Sequence, residues 1–134
     1  MGTAELACAS LIALHQWHGA EVVTVITQPD RPRGRKLQTQ PSFVKNCAVE
    51  YGLPVQQPES LRNGAALDAL AKLKPDLIVV TAFGQILPAA VLELPPHGCL
   101  NVHTSLLPRH RGAAPIQWAI LEGDRETGVT IMQM

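Results

Sequence analysis

The chain has 134 residues, 46% of them hydrophobic, which suffices for one domain with a buried core. Eleven basic and eleven acidic residues cancel to a formal charge of zero, so no global field marks a nucleic-acid or membrane protein and any such partner must be met by a local patch. Three widely spaced cysteines (Cys8, Cys47, Cys99) fit neither a disulfide framework nor a zinc pattern and suit a reducing compartment. No apolar run reaches the roughly 18 residues of a membrane span, and the opening residues lack a signal peptide's basic-then-apolar order. A soluble cytoplasmic α/β domain is expected.

Residues 5–17 place Leu6, Ala9, Ala13 and Leu14 on a stripe that Leu11 and Ile12 widen, which predicts a helix ended near Gly19. Residues 21–27 (EVVTVIT) are β-branched and nearly continuous, as in a strand buried on both faces. A polar, proline-rich loop follows over residues 28–40. A second helix opens at Pro41 and runs to about Tyr51, where Gly52 stops it, and residues 53–55 form a short strand candidate. Residues 61–73 read as a helix with Leu67, Leu70, Ala71 and Leu73 apolar, and residues 76–81 (DLIVVT) as the second clear buried strand. A short helix is predicted over residues 88–92, a strand over 99–103 (CLNVH), a helix over 114–121 and a last strand over 128–134 (GVTIMQM). Strands separated by helices predict parallel pairing with right-handed crossovers, the doubly wound class, in one domain without repeats. Such a domain usually opens with a strand, whereas this chain opens on Gly2-Thr3 and a helix and stops inside a strand, so both ends are expected to be cuts.

Open parallel sheets bind ligands beyond the carboxyl ends of their strands, where Asn101-Val102-His103 lies. Period-two geometry sets Asn101 and His103 on one face. A carboxamide and an imidazole side by side suit a carbonyl whose oxygen gains negative charge: both can donate to it, and the imidazole can also carry a proton. On spacing alone, the pair fits a structural strand end as well. Arg31, Arg33, Arg35 and Lys36 put four cations into six residues, flanked by prolines that keep the segment extended. Such a tongue suits phosphates, though a solvated charged loop has the same composition.

The full string Asn101 to Gly112, N-V-H-T-S-L-L-P-R-H-R-G, resembles the signature of the formyltransferase superfamily that uses 10-formyltetrahydrofolate. Residues 27–36 (TQPDRPRGRK), 82–88 (AFGQILP), 111–117 (RGAAPIQ) and 126–134 (ETGVTIMQM) are similar to the branch that formylates methionyl-tRNA, and the likeness runs over the whole chain. The resemblance implies a Rossmann-like, mostly parallel sheet whose first strand would precede Gly2-Thr3, in the middle of the sheet. It implies formyl transfer from 10-formyltetrahydrofolate to the amine of initiator methionyl-tRNA, with Asn101 and His103 catalytic and no metal. An aspartate in a loop just after the Met-Gln-Met strand would complete the catalytic set, beyond Met134. Gln85, Ile86, Leu87, Ser105, Leu106, Leu107 and Pro108 match folate-contacting positions, although Ile86 and Leu87 also fit plain core packing. Arg31, Arg33, Arg35 and Lys36 match the loop said to engage the acceptor end of tRNA. Here that loop departs from the pattern, with Gln38-Thr39-Gln40 before Pro41 and Phe43 where a proline is common. A C-terminal tRNA-binding domain is absent from the chain, and the full-length protein is expected to be a monomer.

With a central strand missing, the 134-residue chain on its own is expected to be unstable and inactive. Formylation of an amino sugar nucleotide, folate hydrolysis, and a non-catalytic short paralogue that binds folate or RNA are the alternative readings. His15 and His18 share a helix face but lack a third metal ligand, so a surface helix end is the simpler reading. Cys99 reads as a buried small hydrophobe rather than a nucleophile, and Gly2-Thr3 before a helix is a weak anion-site signal.

Overall fold

The computed structural model describes residues 1–33, 38–62 and 64–134. Seven strands and five helices appear among them. They run α1 (Ala7–Gln16), β1 (Val25–Ile26), β2 (Arg31–Arg33), β3 (Gln38–Gln40), α2 (Phe43–Glu50), β4 (Val55–Gln56), α3 (Gly64–Lys72), β5 (Ile78–Val80), α4 (Ala89–Leu92), β6 (Cys99–His103), α5 (Pro115–Leu121) and β7 (Thr130–Gln133). Helices and strands alternate as the periodicity predicts, and the α/β class holds.

The sheet is in pieces. β1 pairs in parallel with β4, while β5, β6 and β7 form a separate three-stranded sheet with β6 in the middle. Between the pieces lie Met1 and Gly2, in strand-like register with both. Gly2 donates its N–H to the Ile26 carbonyl at 3.0 Å, Thr81 donates to the Met1 carbonyl at 2.9 Å, and Gly2 bridges Thr81 in parallel. The Met1 amine donates to the Val79 carbonyl at 2.6 Å. Upstream of that amine the two pieces face each other across a cavity of about 420 Å³, lined by apolar residues that include Leu11, Leu14, Val22, Leu73 and Leu77. Met1 and Gly2 thus bridge the two pieces of sheet at their carboxyl ends. A methyl on Gly2 would come within 2.7 Å of the Ala7 Cβ and 3.0 Å of the Thr81 carbonyl, so this crossing admits glycine alone without a shift.

Three expectations are corrected. The strand predicted over residues 21–27 is paired only at Val25 and Ile26, because residues 22–24 border the cavity and have no ladder partner there. Within the stretch predicted as a proline-rich loop, β2 and β3 pair antiparallel, with Arg31 facing Gln40 and Pro32 facing Thr39; a two-stranded ribbon is all edge, where proline costs no ladder bond. β7 runs antiparallel to β6, not parallel.

Two apolar clusters carry the packing. Ile26, Leu70, Ile78, Phe83, Val91 and Cys99 belong to one, and Ala7, Leu11, Val44 and Ala48 join α1 to α2 in the other. Ser42 caps α2 by accepting from the Lys45 N–H at 3.0 Å, and its hydroxyl meets that of Thr27 at 2.6 Å in the interior. This ties the start of α2 to the end of β1.

Candidate active site

Asn101 and His103 sit on β6, the one strand of the three-stranded sheet that is paired on both sides. Asn101 is in register with Val80 of β5 and Met132 of β7, and His103 faces Thr130. His103 therefore lies two residues beyond the end of β5, at the carboxyl edge of the parallel pair, as ligand sites do in this architecture. Two residues apart on one strand, the side chains share a face, about 7 Å apart along the strand. Both residues are half-buried. Among the described residues, the Asn101 carboxamide meets no hydrogen-bond partner, so its N–H groups are unspent.

His103 is fixed. Its Nε2 lies 3.0 Å from the main-chain oxygen of His110. A carbonyl only accepts, so Nε2 carries the proton and a neutral ring holds its lone pair on Nδ1. The loop after β6 is strapped to the sheet. Ser105, fully buried, donates its hydroxyl to the Arg109 carbonyl at 2.8 Å. Thr130 donates its hydroxyl to the Ser105 carbonyl at 2.8 Å and accepts the Leu107 N–H at 3.1 Å. The Leu107–Pro108 peptide is cis.

A second loop holds the other expected folate positions. Thr3 and Gln28 both donate side-chain hydrogen bonds to the Phe83 carbonyl, at 2.8 and 3.0 Å. Gly84 follows at φ +79, a conformation that glycine adopts without strain. Gln85 is half-buried, Leu87 joins the core cluster, and Ile86 is 80% exposed. Core packing, one reading of Ile86 and Leu87, thus holds for Leu87 and fails for Ile86. Leu106 is 48% exposed and Pro108 exposed, whereas Ser105 offers only main chain because its side chain is turned inward.

Just ahead of β2, Asp30 accepts from Lys45 Nζ and from Gln57 Nε2, and these two hydrogen bonds, the lysine's first, hold its carboxyl below the usual carboxylate range. Arg31 meets Glu59 in an exposed ion pair at 3.3 Å. Arg35 and Lys36 lie outside the described residues, as does the Arg33 side chain. The cavity between the sheet pieces is lined by none of the predicted site residues. Cys99 is buried, its thiol directed at the Val91 carbonyl and pushed up in pKa by burial, which suits the packing role. His15 packs against Tyr51 with ring centroids 5.0 Å apart.

The family described as "Formyl transferase" matches residues 1–134. The chain belongs to the formyl transferase family. Its similarity to a methionyl-tRNA formyltransferase of Geotalea daltonii is 58% identity over all of this chain and 43% of that protein. For one of Citrifermentans bemidjiense the values are 55% identity, all of this chain and 42% of that protein. The chain thus spans less than half the length of these curated relatives. Among solved structures, the phosphoribosylglycinamide formyltransferase of Bacillus halodurans superposes with a TM-score of 0.74 at 21% identity, covering 99% of this chain and 69% of that one, a likeness of fold.

For this formyl transferase family member, four residues of the candidate site escape motif reasoning alone. Arg109 and His110 lie inside the string that carries the resemblance, but nothing in it says that His110's carbonyl meets His103. Asp124 and Thr130 are 14 and 25 residues from His110 and Ser105, the groups they hold, so only the fold brings them together. A signal for Thr130 exists: an isolated threonine in an apolar strand that could lie opposite CLNVH.

Proposed function

We propose that residues 1–134 carry the formyl-transfer centre of an enzyme that moves a formyl group from 10-formyltetrahydrofolate to the α-amine of methionine on initiator tRNA. The observation that carries the proposal is the pair Asn101 and His103 on the doubly paired strand β6, at the carboxyl edge of the sheet. The names of the relatives support the acceptor. The exposed Arg31 and the cationic sequence of residues 31–36 support it too, since arginine forks grip phosphates and the weak Arg31–Glu59 pair yields readily to one.

In this reading the amine lone pair attacks the formyl carbon and the carbonyl electron pair moves to oxygen. Asn101 donates an N–H to that oxygen. His103, held through Nε2, turns its Nδ1 edge to the reaction and, in its imidazolium form, donates a second hydrogen bond. Each donor is worth about 2.7–4 kcal/mol of barrier. Collapse expels the folate nitrogen, and the proton shed by the attacking amine is returned to it by way of His103. The loops at residues 85–87 and 105–108 hold the folate through main-chain groups and the exposed apolar side chains Ile86 and Leu106. The aspartate after β7 and the C-terminal domain implied by the resemblance belong to this proposal, as do a cytoplasmic, monomeric enzyme and a chemistry that uses no metal.

The test carries residues 1–134 in place of the matching segment of the Geotalea daltonii relative and measures formyl transfer to methionyl-tRNA. Asn101→Ala is expected to lower kcat about 10²–10³-fold with little change in folate affinity. Replacing Arg31, Arg33 and Arg35 by alanine is expected to weaken tRNA use more than folate binding. Equal loss of both, or transfer to a sugar nucleotide in preference to tRNA, overturns the acceptor assignment.

A further inference from the structure

We infer that Asp124 and His110 are positioning residues that fix the tautomer and plane of His103, an inference that rests on the formyl-transfer reading above. The His103 Nε2–H points at a main-chain oxygen, not a side chain, so its orientation depends on the backbone at His110. That backbone is unusual: His110 has φ +52, the left-handed region that a non-glycine residue keeps only when its surroundings hold it there. What holds it is its own ring. His110 Nε2 donates to Asp124 Oδ2 at 2.7 Å, in a pair whose side chains are only 7% and 11% exposed. Asp124 is anchored in turn, because its N–H donates to the Ala119 carbonyl at 2.9 Å where α5 ends. Its other carboxylate oxygen takes Arg109 Nη2 at 2.6 Å, and the same guanidinium meets Glu122 at 3.1 Å.

The result is a relay from the end of α5, through a half-buried carboxylate and a second imidazole, to the carbonyl that receives the His103 proton. Without such an acceptor an imidazole rotates between broad wells and exchanges tautomers. With it, Nε2 is committed as donor and only Nδ1 remains for chemistry. His110, Glu122 and Asp124 also form a cluster with metal-ligand chemistry, but the Arg109 guanidinium already lies on both carboxylates, so the cluster's role is to hold the loop.

The test uses the same exchange into the Geotalea daltonii relative, with the nitrogen resonances of the His103 ring and formyl transfer read side by side. The unsubstituted protein should carry the ring proton on Nε2. Asp124→Ala should mix the tautomers and lower kcat about ten- to a hundredfold at unchanged folate KM, as expected for a misplaced reacting group. His110→Gly, which adopts positive φ freely, should retain more kcat than His110→Ala when the two are compared at equal folded fraction, and the ring proton of His103 should stay on Nε2 in the glycine variant and be shared in the alanine one. If Asp124→Ala does not fold, Asp124→Asn, whose carboxamide oxygen still accepts from His110, and the His110 pair decide the matter. A ring proton found on Nδ1, an unchanged tautomer and kcat in Asp124→Ala, or alanine matching glycine at His110 overturns the inference. Should the ring signature respond to Asp124 while no acceptor is formylated, the positioning stands and the formyl-transfer reading falls.

Discussion

Two stretches of similar composition end very differently. Residues 99–103 (CLNVH) form a strand paired at four positions to β7 and at three to β5, whereas residues 21–27 (EVVTVIT), richer in β-branched side chains, are paired at two positions only. Intrinsic strand preference favours the second stretch, so preference is not what decides. β6 has a neighbour on each side. β1 has β4 on one side and, on the other, only Gly2 at its tip and then a cavity. A strand is completed by its partners, and the candidate site sits on the part of the sheet whose partners are all present.

If the unpaired edge beside the cavity shortens β1, supplying a strand there should lengthen it, and this is the largest effect expected. Five β-branched residues placed ahead of Met1 should run in parallel between β1 and β5, joining the two pieces of sheet. Each well-buried apolar side chain contributes about 1.5–3 kcal/mol, less the cost of ordering it, so a net gain of about 3 kcal/mol is expected, or roughly 10 °C in a thermal melt. Hydrogen exchange should slow at residues 22–24 and 77–79, and a proline in the middle of the added segment should cancel both effects. Exchange unchanged at either edge would show that the cavity does not accept a strand. The pH dependence sharpens the comparison. Burial pushes the Met1 amine down from 8.0 to about 6. Between those values the unfolded chain binds the proton and the folded chain does not, so stability should fall as pH drops from 8 to 6. The fall should reach about 2–3 kcal/mol and level off below 6. The extended chain, with its amine moved out of the cavity, should lose this slope.

The same contrast explains what could be read in advance. Residues 99–103 were bounded correctly from sequence because the apolar run is flanked by Gly98 and a polar turn and its neighbours are all present. Period-two spacing gave the shared face of Asn101 and His103 for the same reason. The direction of β7 was not legible, because hydrophobic pattern reports that a strand forms and not which way it runs. The deciding fact is where the chain re-enters the sheet: Asp124 beside His110, and Thr130 opposite His103, put the start of β7 at the carboxyl end of β6, so it must run back. The antiparallel pairing of residues 31–33 with 38–40 was hidden by the prolines, which argue against a strand except at an edge.

A smaller effect separates the two regions at the level of one hydroxyl. Thr130→Val removes the oxygen that serves Ser105 and Leu107, leaving a half-buried N–H and carbonyl unmatched. The expected cost is about 1–3 kcal/mol, seen as a lower denaturant midpoint. Thr24→Val, beside the cavity, removes only a long, exposed bond of 3.4 Å to Pro54 and should change stability by less than about 0.5 kcal/mol. Equal costs at the two sites would mean that the strap over the loop at residues 105–108 contributes nothing of its own.

Ile86→Ala should have the smallest effect on folding and still be informative. Its neighbour Leu87 packs in the core with Phe83 and Val91, so truncating that residue would open a cavity and confuse binding with stability. Ile86 is 80% exposed on the same strapped loop, so its loss should move stability by less than about 0.5 kcal/mol. A large apolar side chain held out to solvent by a loop fastened through Thr3 and Gln28 has no folding reason to be there. If it covers a face of the folate ring, removing three carbons should weaken folate binding about tenfold, at roughly 0.8 kcal/mol for each buried carbon less what stays wet. Titration of a folate against the two proteins, matched for melting temperature, checks this. Unchanged affinity would assign the exposed Ile86 to some other surface and leave folate contact on this loop to main-chain groups alone.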